Sequence, residues 1–528
     1  MSGVAAAPPA PVEQPIPWLG LTAVLLGTFI STLTGRLSTF GLTDIRGAIH
    51  AGFDEGAWIT TAFTVAQMLV TPVAVWIGSI YGPRRILLVA ALSFAASSFV
   101  APFSQNLSTL LVLQFLGGLS SGCFIPLTLS FILRNMPLRL WAYGVAVYAL
   151  NLELSLNISA SLEGWYVDNL SWHWIFWQNV PLALGMAACL HWGVRSQAPP
   201  PARINKDIYG LVTCGLGLAL IYAALDQGNR LDWLNSGMVW GLMLAGFVML
   251  VSFVVHEKLT PNPWLDFHVV LARPMPYLLL MVAILRLTIQ STAYLIPYFL
   301  GGVRGFRALQ VGDTLIWIAV PQLIICPLAA FMLRRSDPRI IASVGLCLVG
   351  LACMTVAYGL TPQWGSDQFL LSQLLQAVGQ SFALSGIVFN AVLNLRPQDA
   401  LSFGAILQIA RLFGGEAGSA FVVTTARMRE QRASNLIGQH LQIGDADVEH
   451  RLQAYGQIIA RAGHQAAASP AVLGGVVRTM ATTQATIDTF VAVAGCGVFG
   501  LIVLVLLLPA PPRTPASHIP LFQRKQPG

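Results

Sequence analysis

The sequence predicts an all-α polytopic membrane protein of 14 transmembrane helices, built as two six-helix bundles with two helices inserted between them. Three observations lead there. Only 10% of the 528 residues are charged and 55% are hydrophobic, whereas a soluble domain carries about 25% charged residues. Fourteen apolar runs each approach the ~20 residues that cross a hydrocarbon core of about 30 Å. A basic turn also recurs, as Gly82-Pro83-Arg84-Arg85-Ile86 and as Arg334-Arg335-Ser336-Asp337-Pro338-Arg339-Ile340.

In chain order, residues 1–16 are Ala/Pro-rich without Lys or Arg, so they read as a disordered cytoplasmic tail and lack the basic start of a signal peptide. The N-terminal bundle, 17–200, holds spans 1–6 at about 17–40, 56–77, 86–104, 107–133, 141–162 and 173–194. The insert, 201–260, holds spans 7 and 8 at 207–226 and 236–256. The C-terminal bundle, 261–510, holds spans 9–14 at 274–300, 309–333, 338–360, 366–392, 402–426 and 486–509. Its long stretch 427–485 reads as an external amphipathic cap with Leu436, Ile437 and Leu441, and 511–528 as a cytoplasmic tail. The runs lack the polar alternation of barrel strands. The recurring turn joins spans 2 and 3 and then spans 10 and 11, which makes the bundles equivalent, and such duplication is typical of secondary transporters.

Short loops on one side hold sixteen Lys/Arg, including Arg84, Arg85, Arg134, Arg139, Arg334, Arg335, Arg339 and Arg396, against four on the other, Arg46, Arg230, Arg304 and Arg307. By the positive-inside bias both termini are cytoplasmic. The +7 charge is spread singly or in pairs between apolar runs, so no nucleic-acid partner is indicated. The seven cysteines lie in apolar stretches without metal spacing, and His256 and His268 are isolated. No Gly-x-x-x-x-Gly-Lys-Ser/Thr run occurs, which argues against ATP-driven transport by this chain. The sequence calls for no metal and no cofactor, and nothing in it marks an enzyme.

Four passages carry a family resemblance: Trp58-Ile59-Thr60-Thr61-Ala62-Phe63 running on to Pro72; Ser171-Trp172-His173-Trp174-Ile175-Phe176-Trp177-Gln178-Asn179-Val180-Pro181; Leu225-Asp226-Gln227-Gly228 with Leu231-Asp232-Trp233; and Pro263-Trp264-Leu265-Asp266. From about residue 18 to 510 the chain resembles the fourteen-span members of the major facilitator superfamily, specifically the drug:proton antiporters of the EmrB/QacA type. The resemblance implies a major facilitator fold in a bacterial inner membrane. It also implies multidrug or toxic-compound efflux by alternating access, driven by inward proton flow, with a periplasmic adaptor and an outer-membrane channel as partners. The chain departs from the family pattern at several places. The first-span acid is Thr34, followed by Arg36; the gating motif is reduced to Gly82-Pro83-Arg84-Arg85, with Ser79 and Ile80 before it; the fourth-span arginine is Gln114; and the antiporter motif is Ser159-Ala160-Ser161-Leu162-Glu163-Gly164.

Charges at membrane depth cost about 2.5–3.5 kcal/mol on insertion scales, so they face a cavity or a partner. Six stand out: Arg36, Glu153, Glu163, Arg286, Arg411 and Glu416. In the superfamily arrangement, their spans 1, 5, 9 and 13 border the central cavity. Glu153 and then Glu416 are the candidate proton carriers, with Arg411 as a coupling partner. Arg36 and Arg286 would supply partner charges or hold an anionic group of a small amphipathic substrate, because guanidinium stays charged and offers forked donors. The competing reading is a set of permanent ion pairs. Gln373, Gln376 and Gln380 form a one-sided polar stripe on span 12, and Thr60, Thr64 and Gln67 form another on span 2. Either stripe would line the cavity or tie helices together. Tyr294 would stack on substrate or pack in the core. Gly82, Arg84, Arg85, Arg334, Arg335 and Arg339 would latch a cytoplasmic gate through helix-end carbonyls and Asp337, or only set topology. Three activities remain open: proton-coupled efflux of toxic compounds, dedicated export of one endogenous metabolite or siderophore, and a non-transporting membrane sensor or scaffold.

Overall fold

The computed structural model describes residues 17–137, 140–194, 207–261, 274–395, 400–441, 446–461 and 469–508. Both predicted tails, the Pro263–Asp266 passage, His268 and the loop residues Arg139, Arg195, Arg203, Lys206, Arg273 and Arg396 lie outside the described residues. Among the described residues there is no strand. Thirteen helices are long and apolar enough to cross a membrane.

Spans 1–5 are Trp18–Phe40, Trp58–Tyr81, Pro83–Val100, the pair Leu107–Ser121 and Phe124–Asn135, and Trp141–Asn169. Span 6 is split into Trp174–Trp177 and Asn179–Gly193, yet its longer piece packs against spans 1 and 3 as the other spans pack on their neighbours. The insert is Ile208–Gly228 (span 7) and Gly237–Leu259 (span 8). Spans 10–12 are Ala308–Leu333, Pro338–Gly359 and Leu370–Leu393.

Span 9 is interrupted. It runs Met275–Thr288, widens into a π-helical turn at Ser291–Leu295 and resumes as Ile296–Arg304. Pro297 has no N–H for the carbonyl of Ala293 four residues earlier, so the ladder loosens there.

The last two spans differ most from expectation. Span 13 is Ala400–Gly438 and span 14 is Ser469–Leu507, so both ends of the predicted loop 427–485 continue the two spans as helix. The apolar pattern stops near Ala426, but Arg427-Met428-Arg429-Glu430-Gln431-Arg432-Ala433 are strong helix formers. Hydropathy ends the membrane segment there without ending the helix. Leu436 remains exposed, and a further helix, Ala446–Arg461, packs on span 14.

The duplication is visible in detail at the end of the bundle carrying the two basic turns, here the basic end. Spans 3 and 11 both begin with proline at the first helical position, Pro83 and Pro338, where a missing N–H costs nothing. Gly82 turns the chain with φ +85°, a left-handed conformation that suits glycine. One apolar cluster at this end joins both halves, from Ile125, Leu129 and Trp141 to Leu278, Phe389 and Leu504. Toward the opposite, far end each half has its own cluster, with Ala160 of span 5 and Phe40 of span 1 packed into that of the C-terminal half. The N-terminal half packs around Leu33, Ile45 and Phe176, and the C-terminal half around Phe299, Val356 and Phe490. Span 7 lies on span 2, with Gly215 against the Leu69 carbonyl, and reaches span 13 at Ile406 and Phe413. Span 8 packs on span 7 and leaves Leu244, Phe247 and Val255 exposed.

Candidate transport site

The halves meet around a buried set of charges. Glu153 of span 5 is 1% exposed, and neither carboxylate oxygen has a hydrogen-bond partner. Its nearest cation is Arg286 of span 9, with Nη1 at 4.0 Å from Oε1. Arg411 of span 13 also acts electrostatically on Glu153, and Arg36 of span 1 acts on Arg286. Arg411 donates from Nε to Gln408 Oε1 at 2.9 Å. Arg36 donates from Nη2 to the Ala293 carbonyl at 2.8 Å, the oxygen that Pro297 leaves without a helical donor, and its guanidinium lies 5.1 Å from the Phe40 ring centroid. Arg286 Nε and Nη1 and Arg36 Nε are buried without a hydrogen-bond partner. Two guanidiniums, those of Arg286 and Arg411, thus act on one carboxylate between the halves, with Arg36 beside Arg286. Arg36, Glu153, Arg286 and Arg411, read from the sequence as candidates, converge here.

Glu416 belongs to a second polar group. Tyr222 of span 7 is hydrogen-bonded to Glu416 and lies beside Thr64, and Asp226 also acts on Glu416. Thr61 donates to Asp226 Oδ2, and Gln227 Nε2 donates to the same oxygen at 2.9 Å. Sequence reading missed Tyr222 and Thr61 and took Asp226 only as part of a motif. The available signal was an acid at the end of an apolar run. Glu163 stands apart at the far end of span 5, beside Gly41.

The polar stripes divide. Gln67 Nε2 donates to Ser31 Oγ at 3.1 Å and to Ser121 Oγ at 3.0 Å, which ties spans 1, 2 and 4. Gln380 Nε2 donates to Thr292 Oγ1 at 3.3 Å, and Gln376 Nε2 donates to Ser291 Oγ at 3.1 Å. Asn157 of span 5 donates across the halves to Gln322 and Gln380, at 3.4 Å each. Gln67, Gln376 and Gln380 are therefore engaged between helices. Gln373 is buried with neither end of its amide paired. Thr60 and Thr64 return their hydroxyls to their own helix and are half-buried. Tyr294 stacks on Tyr298 at 5.6 Å.

At the basic end Arg84 and Arg339 each act within their own half. Arg84 donates to the Leu190 and His191 carbonyls, at 3.3 and 2.8 Å, and so closes the end of span 6. Arg339 does the same for span 14, donating to the Leu508 carbonyl at 3.1 Å while pairing with Asp337 at 2.8 Å. Burial pushes the Asp337 carboxyl up, but hydrogen bonds from the Arg339 side chain and N–H outweigh it and hold the group below the usual range. That contribution to stability is present above the ordinary carboxylate pKa of about 4 and is lost as pH falls through the folded-state value. Arg334 crosses the halves, 5.7 Å from the Tyr143 ring. Arg335 lies 4.0 Å from Phe331, and Arg85 is exposed. Arg84→Ala and Arg339→Ala are each expected to cost on the order of 1 kcal/mol, discounted for partial exposure. Thermal unfolding in detergent checks this: the double variant should lose the sum, and a shortfall would mean the two helix ends are coupled.

Two helical bundles with buried charges between them are the architecture of a multi-pass membrane transporter. The family model described as Major Facilitator Superfamily matches residues 24–424, and the chain belongs to that superfamily. It is similar to the probable multidrug resistance protein EmrY of Escherichia coli K12, 26% identical over 425 residues that cover 80% of this chain and 82% of that one. It is 25% identical to the multidrug export protein EmrB of Haemophilus influenzae over 420 residues, 79% and 82% of the two chains. The crystal structure of the human organic anion transporter MFSD10 superposes with a TM-score of 0.55 at 15% identity, covering 93% of this chain and all of the other; that likeness shows the fold.

Proposed function

We propose that the chain exports a small amphipathic compound by alternating access, in exchange for protons carried on Glu153. The single observation behind this reading is the Glu153 carboxyl, buried between the halves with no hydrogen-bond donor and one guanidinium 4.0 Å away. Ionised, it needs Arg286; protonated, it does not. A motion that moves spans 5 and 9 relative to one another therefore changes its proton affinity. Arg36 and Arg411 leave spare donors for an anionic group on the cargo, and its apolar body would lie against Tyr148 and Tyr294. The basic loops favour an inner-membrane orientation with both termini cytoplasmic. The multidrug-resistance relatives support toxic-compound efflux and make a periplasmic adaptor and outer-membrane channel the partners to seek.

Proteoliposomes with an imposed pH gradient test this. Dye and weak-acid cargo should move against their own gradient while protons flow the other way, and an uncoupler should stop both fluxes. Cargo movement indifferent to the gradient would reject proton exchange. Uptake of one metabolite alone from a mixed panel would identify a dedicated exporter, and no movement at all a scaffold. Arg411→Gln is expected to weaken carboxylate cargo about 10- to 100-fold, the value of a charge-assisted hydrogen bond, and neutral cargo far less. Competition binding reads the difference, and equal losses would reject charge recognition.

A further inference from the structure

The turn between spans 7 and 8 holds both halves of the transporter at the far end. Toward the N-terminal half, Arg230 pairs with Asp54 at 2.8 Å and donates from Nε to Gln227 Oε1 at 2.7 Å. Gln227 and Asp226 are in turn bonded to buried Thr61 of span 2. Toward the C-terminal half, Arg427 of span 13 donates to the Asn229 carbonyl at 3.0 Å and pairs with Asp232 at 3.1 Å. Trp233 Nε1 donates to Thr424 Oγ1 at 3.1 Å. Span 13 thus grips the turn at three residues, about three helical turns beyond Phe413, where its apolar contact with span 7 ends.

The turn is also bent. Asp232 and Trp233 have φ of +63° and +49°, a left-handed conformation uncommon for any side chain and an outlier for a bulky one. Such geometry persists where surrounding contacts enforce it. Here those contacts are the indole lying on Gly228 and the bonds to Thr424 and Arg427.

At the turn itself the two attachments differ in kind, whereas nearer the middle of the bundle Tyr222 of span 7 is also bonded to buried Glu416 of span 13. On span 2 the partners are buried, Thr61 at 1% and Gln227 at 2% exposure, and the helix backbones touch at Gly215 and Leu69. On span 13 the ionic partners are exposed, Asp232 at 60% and Arg427 at 36%. Water replaces an exposed ion pair at little cost, whereas breaking a buried bond strands its polar groups.

We propose that this turn is a clasp: the insert travels with the N-terminal half and must release Asn229, Asp232 and Trp233 from span 13 before the far end can open. The proposal rests on the alternating-access reading and gives the two inserted helices a role in it, as a strap that biases the bundle toward closure at that end.

Paired cysteines test the clasp in a background freed of native cysteines and matched to the native transport rate. A bifunctional thiol reagent spanning Asp232→Cys and Arg427→Cys should stop transport, with recovery when a reducible reagent is cleaved. The same reagent across Asp54→Cys and Arg230→Cys should leave transport largely intact. Transport that survives the 232–427 bridge overturns the clasp while leaving the transporter reading in place. A second measurement needs no transport. In detergent, labelling of Thr60→Cys by a water-soluble thiol reagent should quicken several-fold with Asp232→Arg or Arg427→Asp alone and return to the starting rate in the double reversal. Unchanged labelling in the single variants, or additive effects in the double, would also overturn it.

Discussion

Glu153→Gln is expected to abolish gradient-driven export while leaving cargo binding near its native strength. Glutamine keeps the shape and the hydrogen-bonding capacity of a protonated glutamate but can neither release a proton nor balance Arg286. The carboxylate accepts no hydrogen bond from the protein, so the substitution removes only its ion pair with Arg286 at 4.0 Å, and the helix should still insert and fold. Arg286 and Arg411 then remain without the anion that acts on both, a permanent mimic of the proton-loaded site. Downhill exchange of cargo across the membrane should continue, because it needs no proton release. Active export should fall to the level of that leak, and cargo affinity should lose its pH dependence. Full active transport by the variant would refute the assignment, and a stable variant that no longer binds cargo would recast Glu153 as part of the cargo site.

The helical fold was legible because membrane crossing writes itself into long apolar runs, and thirteen of them are long enough in the structure by length and composition. The duplication was legible from Pro83-Arg84 and Pro338-Arg339, since both prolines start helices and both arginines close the last helix of their half. The helix ends beyond the membrane were not legible: apolarity marks where lipid stops, whereas Arg427–Ala433 continues the helix on backbone propensity alone. The central charges were readable as a set, because a charge in a long apolar run is rare for any other reason. Their arrangement was not, because it depends on which helices face one another. The pairing of Arg36 with the Ala293 carbonyl, 257 residues away, uses an oxygen whose i+4 residue is Pro297 and so lacks that N–H, and single-span patterns carry no such information. For the same reason Gln67, Gln376 and Gln380 could not be told apart from cavity-lining residues until Ser31, Ser121, Ser291 and Thr292 were seen against them.

Gly404→Val is expected to force the basic end apart. In this conformation Gly404 of span 13 lies directly on the backbone of span 4, and a Cβ there would overlap the Pro126 carbonyl oxygen. That atom belongs to a helix backbone in the other half, so no rotamer change relieves the overlap. Overpacking of this kind costs about 1–3 kcal/mol, and in a protein with two conformations of similar energy such a difference moves their ratio by about 5- to 150-fold. The penalty applies only while the halves touch at the basic end and vanishes when they separate there. The variant should therefore fold yet rest in the alternative conformation, with slower transport. Spin labels on spans 4 and 13 near that end should report a longer distance than in the native protein. Gly350→Val on span 11 supplies the control, since nothing lies within 4 Å of its added Cβ, and it should leave both the distance and the rate unchanged. If Gly404→Val transports normally with the native distance, spans 4 and 13 do not form the moving interface at this end. Closure would then rest on spans 5 and 10, where Cys326 Sγ donates to the Ala146 carbonyl at 2.7 Å.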